Sequence, residues 1–399
     1  MTADFDSMGQ FTDTVAGDVR DPYPDLAVKR RATPVEMNVQ MGYDLEDRLT
    51  ATVYQYDDVA AVLRDDKTFS SGAIRDLMAV VMGPYVMVGM DAPEHKRHRH
   101  LVSHAFRSKA LAHWEDDLMG DVIDELIDNF ADRGSAELVR EFTFRFPVQV
   151  IAEVLGVPRT DYEKFHRWAV EIINVAAQPD VGIAAGAAMR EYLVQFVEAR
   201  RKDPGTDVIS DLVTSEIDGE LLDDEEIYSF LRLLLPAGAE TTYRAAGNFL
   251  YGLMTHPDQL EMLKADRSLM QQAVEEAIRW ETPLLITNRR VMADTEIHGV
   301  EIPAGSECIA HLGSANHDEA HWDNAEEFDI TREPKPQIAF GAGPHMCIGM
   351  HLARLELKVA INRVLDRLPN LRLDPSDTSD AHIHGERFRS PTSLPVLFG

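Results

Sequence analysis

Cysteine is nearly absent from this 399-residue chain: Cys308 and Cys347 are the only two. Two thiols cannot build a disulfide framework, so a reducing compartment is expected, and an isolated cysteine becomes a candidate ligand or nucleophile. Basic charge is scarce as well. With 39 Lys and Arg against 68 Asp and Glu, the net charge of −29 disfavours nucleic acid and anionic membrane surfaces as partners. Long hydrophobic runs are missing: the longest uncharged, largely apolar stretch, Leu77 to Met90, contains Gly83, Pro84 and Gly89 and falls short of the roughly 20 residues that span a bilayer. The opening MTADFDSMGQFTD is acidic where a secretory signal is basic, so a cytoplasmic protein without a membrane anchor is expected. No G-x-G-x-x-G opens a helix after a strand, which argues against a nucleotide-binding fold.

What is present is mostly helical periodicity. Apolar residues recur every three to four positions in 116–130, 144–155, 183–200 and 225–255. Strand-like alternation is confined to short pieces, such as 51–56, 296–302 and 307–312. Lys202 to Asp207 reads as a tight loop between helices, and 370–384 as a polar, acidic surface segment. Neither a repeat nor a linker marks a boundary, so one mainly α domain with small β-sheets is expected over 1–399, with a hydrophobic content of 45% to fill its core.

Three stretches carry possible chemistry. In Phe340 to Gly349 (FGAGPHMCIG) glycines surround Cys347 just ahead of an amphipathic helix expected over 348–368, a position where amide hydrogens and the helix dipole favour a thiolate. In LRLLLPAGAETTYRAAGN a long apolar helix is interrupted by Pro236 and Gly238 and followed by Glu240, Thr241 and Thr242, where a weakened hydrogen-bond ladder could hold water beside a ligand. In QQAVEEAIRWETP, Glu276 and Arg279 share one helix face and can form a charge-assisted pair. His317 and His321 have a zinc-compatible spacing but no evident third ligand.

The pattern F-G-x-G-x-H-x-C-x-G resembles the haem-binding loop of the cytochromes P450. The other motifs follow in that family's order. Ala237 to Thr242 (AGAETT) is similar to the oxygen-activation motif. Glu276-x-x-Arg279, with Arg332 further on, resembles the structural E-x-x-R and its third arginine. Asp91, Pro93, His95 and Arg99 resemble D-x-P-x-H-x-x-x-R.

The resemblance implies the P450 fold, with a long central helix crossing the haem and the cysteine loop preceding a helix. It implies haem b as cofactor, with Cys347 as axial iron ligand and Phe340, Gly341, Gly349 and Ala237 against the porphyrin. Propionates would meet His95, Arg99, His345 and Arg289, with Arg290 as competitor for the last role. Thr241 and Glu240 become catalytic; Val86, Met87, Leu234, Gly238, Leu285, Ile286, Thr392 and Ser393 would line the substrate pocket.

The implied activity is that of a bacterial-type monooxygenase, most simply a hydroxylase, inserting one atom of O₂ into a hydrophobic small molecule of terpenoid, steroid, fatty-acyl or aromatic type. Electrons would come from a ferredoxin and its reductase to a monomeric enzyme. The ferredoxin would dock on the basic run from Lys96 to Lys109 together with Arg354, Lys358 and Arg363. The alternatives are a peroxide-dependent haem-thiolate enzyme and a non-catalytic haem sensor or carrier.

Overall fold

A computed structural model describes residues 17–42, 46–103, 106, 114, 118–176, 178–217 and 219–399. Helices dominate: α1 (Tyr23–Ala32), α2 (Tyr56–Arg64), α3 (Arg75–Met82), α4 (Glu94–Ser103), α5 (Gly120–Asp128), α6 (Phe146–Val154), α7 (Tyr162–Ile173), α8 (Pro179–Lys202), α9 (Asp224–Thr255), α10 (Met270–Trp280) and α11 (Met350–Arg367). Each expected helix is present, trimmed or extended by a few residues at its ends. The beginning of the one expected over 116–130 falls outside the described residues.

Helix α9 organises the rest. Asp223 and Glu226 form a reciprocal capping box at its N-terminus, and Asp224 and Glu225 complement the dipole there. Its buried residues run nearly from end to end, as in a helix enclosed on all sides. Contrary to the expected interruption, α9 continues through Pro236 and Gly238. Proline removes only the bond to the carbonyl four residues back, at Arg232, and packing on every side holds the remainder of the ladder. One apolar core built from Val81, Leu126, Phe142, Ile151, Val274, Ile361 and their neighbours encloses α9.

The strands form two small sheets and two hairpins. Strand β1 (Val35–Met41) lies antiparallel to β2 (Asp47–Val53), which pairs in parallel with β6 (Glu307–His311); β6 is antiparallel to β5 (Ile286–Val291), and β5 to β3 (Phe69–Ser70). A second sheet joins β7 (Arg372–Leu373), β8 (Pro395–Leu397) and β4 (Ser135–Glu137). The segment expected as one strand over 296–302 is a hairpin, Thr295–Ile297 against Val300–Ile302, turning at His298 and Gly299 in left-handed conformations.

Candidate active site

The cysteine loop is closed on itself before any ligand is considered. The Cys347 amide donates to the Phe340 carbonyl at 2.9 Å, and the Gly341 amide to the Ile338 carbonyl at 2.9 Å. Gly341 and Gly343 both take positive φ, +71° and +70°. At Gly343 a side chain would also run into the Leu63 carbonyl at the end of α2, so this position admits glycine for two reasons. Gly349 is the N-cap of α11. Phe340 lies under the Arg354 guanidinium, 4.5 Å from carbon to ring centroid.

The Cys347 side chain is accessible, yet loss of hydration is the largest influence on its thiol and raises its pKa above the ordinary value. Together these facts describe a thiol opening into a hollow inside the protein. The Gly349 amide, Arg99 and Arg354 pull the pKa down but do not prevail. The expected thiolate at the head of α11 is therefore not stabilised by the helix end alone, because burial outweighs it.

A second opening appears on α9. Ala237 is exposed and Gly238 and Thr241 are half-buried, although the turns on either side are buried. The Thr241 hydroxyl donates to the Ala237 carbonyl at 3.2 Å within this accessible turn. Glu240 points elsewhere. Its carboxylate accepts from Arg244 Nε at 3.1 Å and from the Tyr243 hydroxyl at 3.0 Å, all three side chains being buried. The expected acid and alcohol are thus neighbours in sequence whose side chains have different partners.

Cations and imidazoles gather beside the loop. His95 from α4 and His345 stack with ring centroids 3.8 Å apart. His95 Nε2 is buried without a hydrogen-bond partner, and His345 donates to the Met90 carbonyl. Burial, then neighbouring charge, lowers the pKa of His95 to about 4 and of His345 to about 3, so both rings are neutral near pH 7. Arg99 donates to the Met346 carbonyl and has no acidic partner among the described residues.

Successive side chains on β5 alternate, so Arg289 and Arg290 face opposite ways. Arg290 meets its cross-strand partner Glu307 at 3.3 Å, whereas the charge of Arg289 bears on His345. The site therefore receives Arg289.

Behind the loop, Glu276 is gripped by two arginines. Arg279 contacts both carboxylate oxygens at 2.8 Å, and Arg332 Nε reaches Oε2 at 3.0 Å. Arg279 also donates to the carbonyls of Asn316, Ala325 and Glu327, which fixes the chain leading into the cysteine loop.

Comparison with known proteins gives the same direction. The family model described as Cytochrome P450 matches residues 180–382. A putative cytochrome P450 of Bacillus subtilis strain 168, YjiB, is 35% identical over 365 residues, covering 89% of each chain. This chain belongs to the cytochrome P450 family. A steroid C26-monooxygenase of Mycobacterium tuberculosis H37Rv is 37% identical to this P450 over 357 residues, 87% of this chain and 88% of the relative. The crystal structure of CYP109E1 from Bacillus megaterium in complex with testosterone superposes with a TM-score of 0.86 at 30% identity, covering 95% of this chain and 99% of that one.

A P450 is a monooxygenase that carries haem iron, and the residues present fit that group. An accessible sulfur and an accessible turn of α9 interrupt a core that is otherwise packed. Near the loop of Cys347 stand Arg99, Arg289 and an orphaned imidazole nitrogen, a donor set suited to carboxylates.

Several expected pocket residues sit otherwise. Val86, Met87 and Leu234 are buried apolar residues, and Ile286 is half-buried. Gly238 instead faces α6, where a side chain would meet Ile151 at 2.8 Å, so the glycine serves close helix packing. Leu285 is buried against Gly313. Thr392 bonds to His384 at 3.2 Å, and the Ser393 hydroxyl reaches Ser379 at 3.2 Å on the exposed side.

The basic run is also less free than its sequence implies. Arg97 pairs with Glu220 and Glu226, Arg354 with Glu275 and Arg363 with Asp124. Arg107 and Lys109 lie outside the described residues. His317 is occupied by Glu326 and the Trp280 carbonyl, which leaves no zinc pair with His321.

One buried acid escaped the sequence reading. Glu356 on α11 is 1% exposed and neither carboxylate oxygen has a well-formed hydrogen bond. The available signal was a charged residue on the apolar stripe of Leu352 and Ala360.

Proposed function

We propose that this P450 acts as a single domain over 1–399 that hydroxylates a hydrophobic small molecule of steroid or terpenoid size, using haem b, O₂ and a ferredoxin-type donor in the cytoplasm. The accessible turn of α9 carries the reading: an alcohol is set into hollow space within a helix that is otherwise packed on all sides. Steroid size is supported by the steroid C26-monooxygenase relative and by the testosterone complex of CYP109E1. Among the described residues no helix is long and apolar enough to cross a membrane.

In this reading Cys347 holds the haem iron, which supplies activation of O₂. Arg99, Arg289 and His95 would hold the propionates, with His345 stacked against His95 to position it; Phe340, Gly341, Gly349 and Ala237 would bound the porphyrin; Glu276, Arg279 and Arg332 are structural. Thr241 gives its hydroxyl proton to Ala237 and so keeps oxygen lone pairs to accept a water that donates into the hollow. Glu240 delivers protons to that water by exchanging its Arg244 partner. The ferredoxin docks on the exposed Lys96 and His100 of α4, next to the cysteine loop that Arg99 ties down.

The test combines a steroid and terpenoid panel, screened by haem spin-state change, with O₂ consumption and product yield in the Thr241→Ala variant. A spin-shifting substrate that Thr241→Ala turns over with several-fold more peroxide per electron supports the reading. Unchanged coupling removes Thr241 from it.

A further inference from the structure

A second cluster of ligating side chains lies away from this site, where the first described residues meet the end of the chain. Asp380-Ala-His382-Ile-His384 places two imidazoles two residues apart, and extended backbone sets such residues on one side. The backbone is extended here: His384 forms an antiparallel bridge with Ser390. Gly17 to Arg20 runs alongside, with the Gly385 amide donating to the Val19 carbonyl at 3.2 Å. Asp18 thereby reaches the histidines. One potential ligand atom from each of Asp18, His382 and His384 lies within 4.8 Å of the other two.

We propose that Asp18, His382 and His384 bind a divalent cation of the Zn²⁺ class and clamp the 17–20 segment to the 382–392 segment. The histidine hydrogen bonds carry the argument. His384 Nδ1 meets the Gly17 carbonyl at 3.1 Å, and His382 Nδ1 meets the Asp380 carbonyl. Each Nδ1 therefore donates, which leaves each Nε2 as a lone pair, the tautomer that a metal-bound histidine takes when a carbonyl orients it. His382 Nε2 stands 2.9 Å from Asp18 Oδ1. Two lone pairs repel at that distance unless a proton or a cation lies between them.

The surrounding charge also bears on a cation. Arg20 Nε lies 3.4 Å from both Asp18 oxygens, and Asp380 shares that guanidinium through a shorter contact of 2.7 Å. Two imidazoles and one carboxylate form a borderline ligand set that leaves a fourth position for water. The Thr392 hydroxyl, 3.2 Å from His384 Nε2, would turn away to free that nitrogen.

The experiment uses untagged holoenzyme, stripped with EDTA, dialysed and titrated with ZnCl₂ by calorimetry. One Zn²⁺ per chain is expected, weakened at least tenfold in each of Asp18→Asn, His382→Gln and His384→Gln. Zinc should raise the melting temperature of the wild type alone and slow hydrogen exchange in 17–20 and 382–385. The CO-bound spectrum of each variant checks that the haem site is intact. Absence of saturable binding, or binding undiminished in the three variants, overturns the proposal. Variants that lose equal stability with and without zinc identify a simple imidazolium–carboxylate pair instead.

Discussion

The imidazoles of His95 and His345 lie stacked with ring centroids 3.8 Å apart, one from a helix and one from the cysteine loop. Both are neutral because burial lowers their pKa. His95 can donate from its unpartnered Nε2 to a propionate, whereas the single proton of neutral His345 goes to the Met90 carbonyl. Neither ring contributes charge, so the charge must come from Arg99 and Arg289.

The first prediction follows from that division. Arg99→Gln and Arg289→Gln are expected to speed haem loss by about tenfold or more, and His95→Gln and His345→Gln only a few-fold, as charge-assisted bonds are the stronger ones. Transfer of haem to an excess of apomyoglobin measures this. The reverse order would make the stacked pair the principal anchor.

Two glycines in the loop separate strain from collision. Gly341→Ala should cost about 1–2 kcal/mol, because its φ of +71° is unfavourable but the space around it is open. Gly343→Ala has the same backbone strain and also drives a methyl group into the Leu63 carbonyl. It should yield protein that retains little haem. Equal haem content in the two variants would contradict the close approach of the loop to α2.

Arg279 is almost fully buried and serves Glu276 and three carbonyls at once. Its replacement by alanine leaves Glu276 with Arg332 only, and stability should fall by about 3–5 kcal/mol. Lysine should rescue little, since a point charge cannot reproduce the planar fork. Urea denaturation of the holoenzyme distinguishes this from a surface pair, whose loss costs about 0–1 kcal/mol.

Much of this arrangement was legible before any coordinates. The loop around Cys347 and the pair Glu276 and Arg279 are local patterns in which spacing constrains geometry. The long helices were evident from their apolar period.

What failed depended on direction across packed elements. Gly238 and Leu285 sit in the expected segments but face α6 and Gly313, since neighbours from distant sequence decide which side of an element is open. Strand β1 (VEMNVQM) was not singled out, although its apolar and polar residues alternate strictly. The basic run appeared free because acids such as Glu220, Glu226 and Asp124 approach it only after folding.

Glu356 gives a pH-dependent prediction. Burial raises its pKa well above the usual 4.5, and Thr242 opposes this only weakly. The folded protein keeps a proton that the unfolded chain releases, so this group's stability contribution is complete below about pH 4.5 and declines as pH rises towards the folded pKa. Glu356→Gln, neutral and similar in shape, should therefore gain stability relative to wild type between pH 5 and pH 8. Urea midpoints at the two pH values measure it. A wild-type-to-variant difference that does not change with pH would show that Glu356 is ionised in the folded protein.

The central claim is that Cys347, in a loop closed by its own hydrogen bonds and opening onto hollow space, is the iron ligand of a monooxygenase. The direct measurement is the difference spectrum of the reduced, CO-bound holoenzyme, recorded for wild type and for Cys347→Ala. The red-shifted Soret band of thiolate ligation is predicted for wild type and its complete absence for the variant. Retention of that band in Cys347→Ala would contradict the assignment.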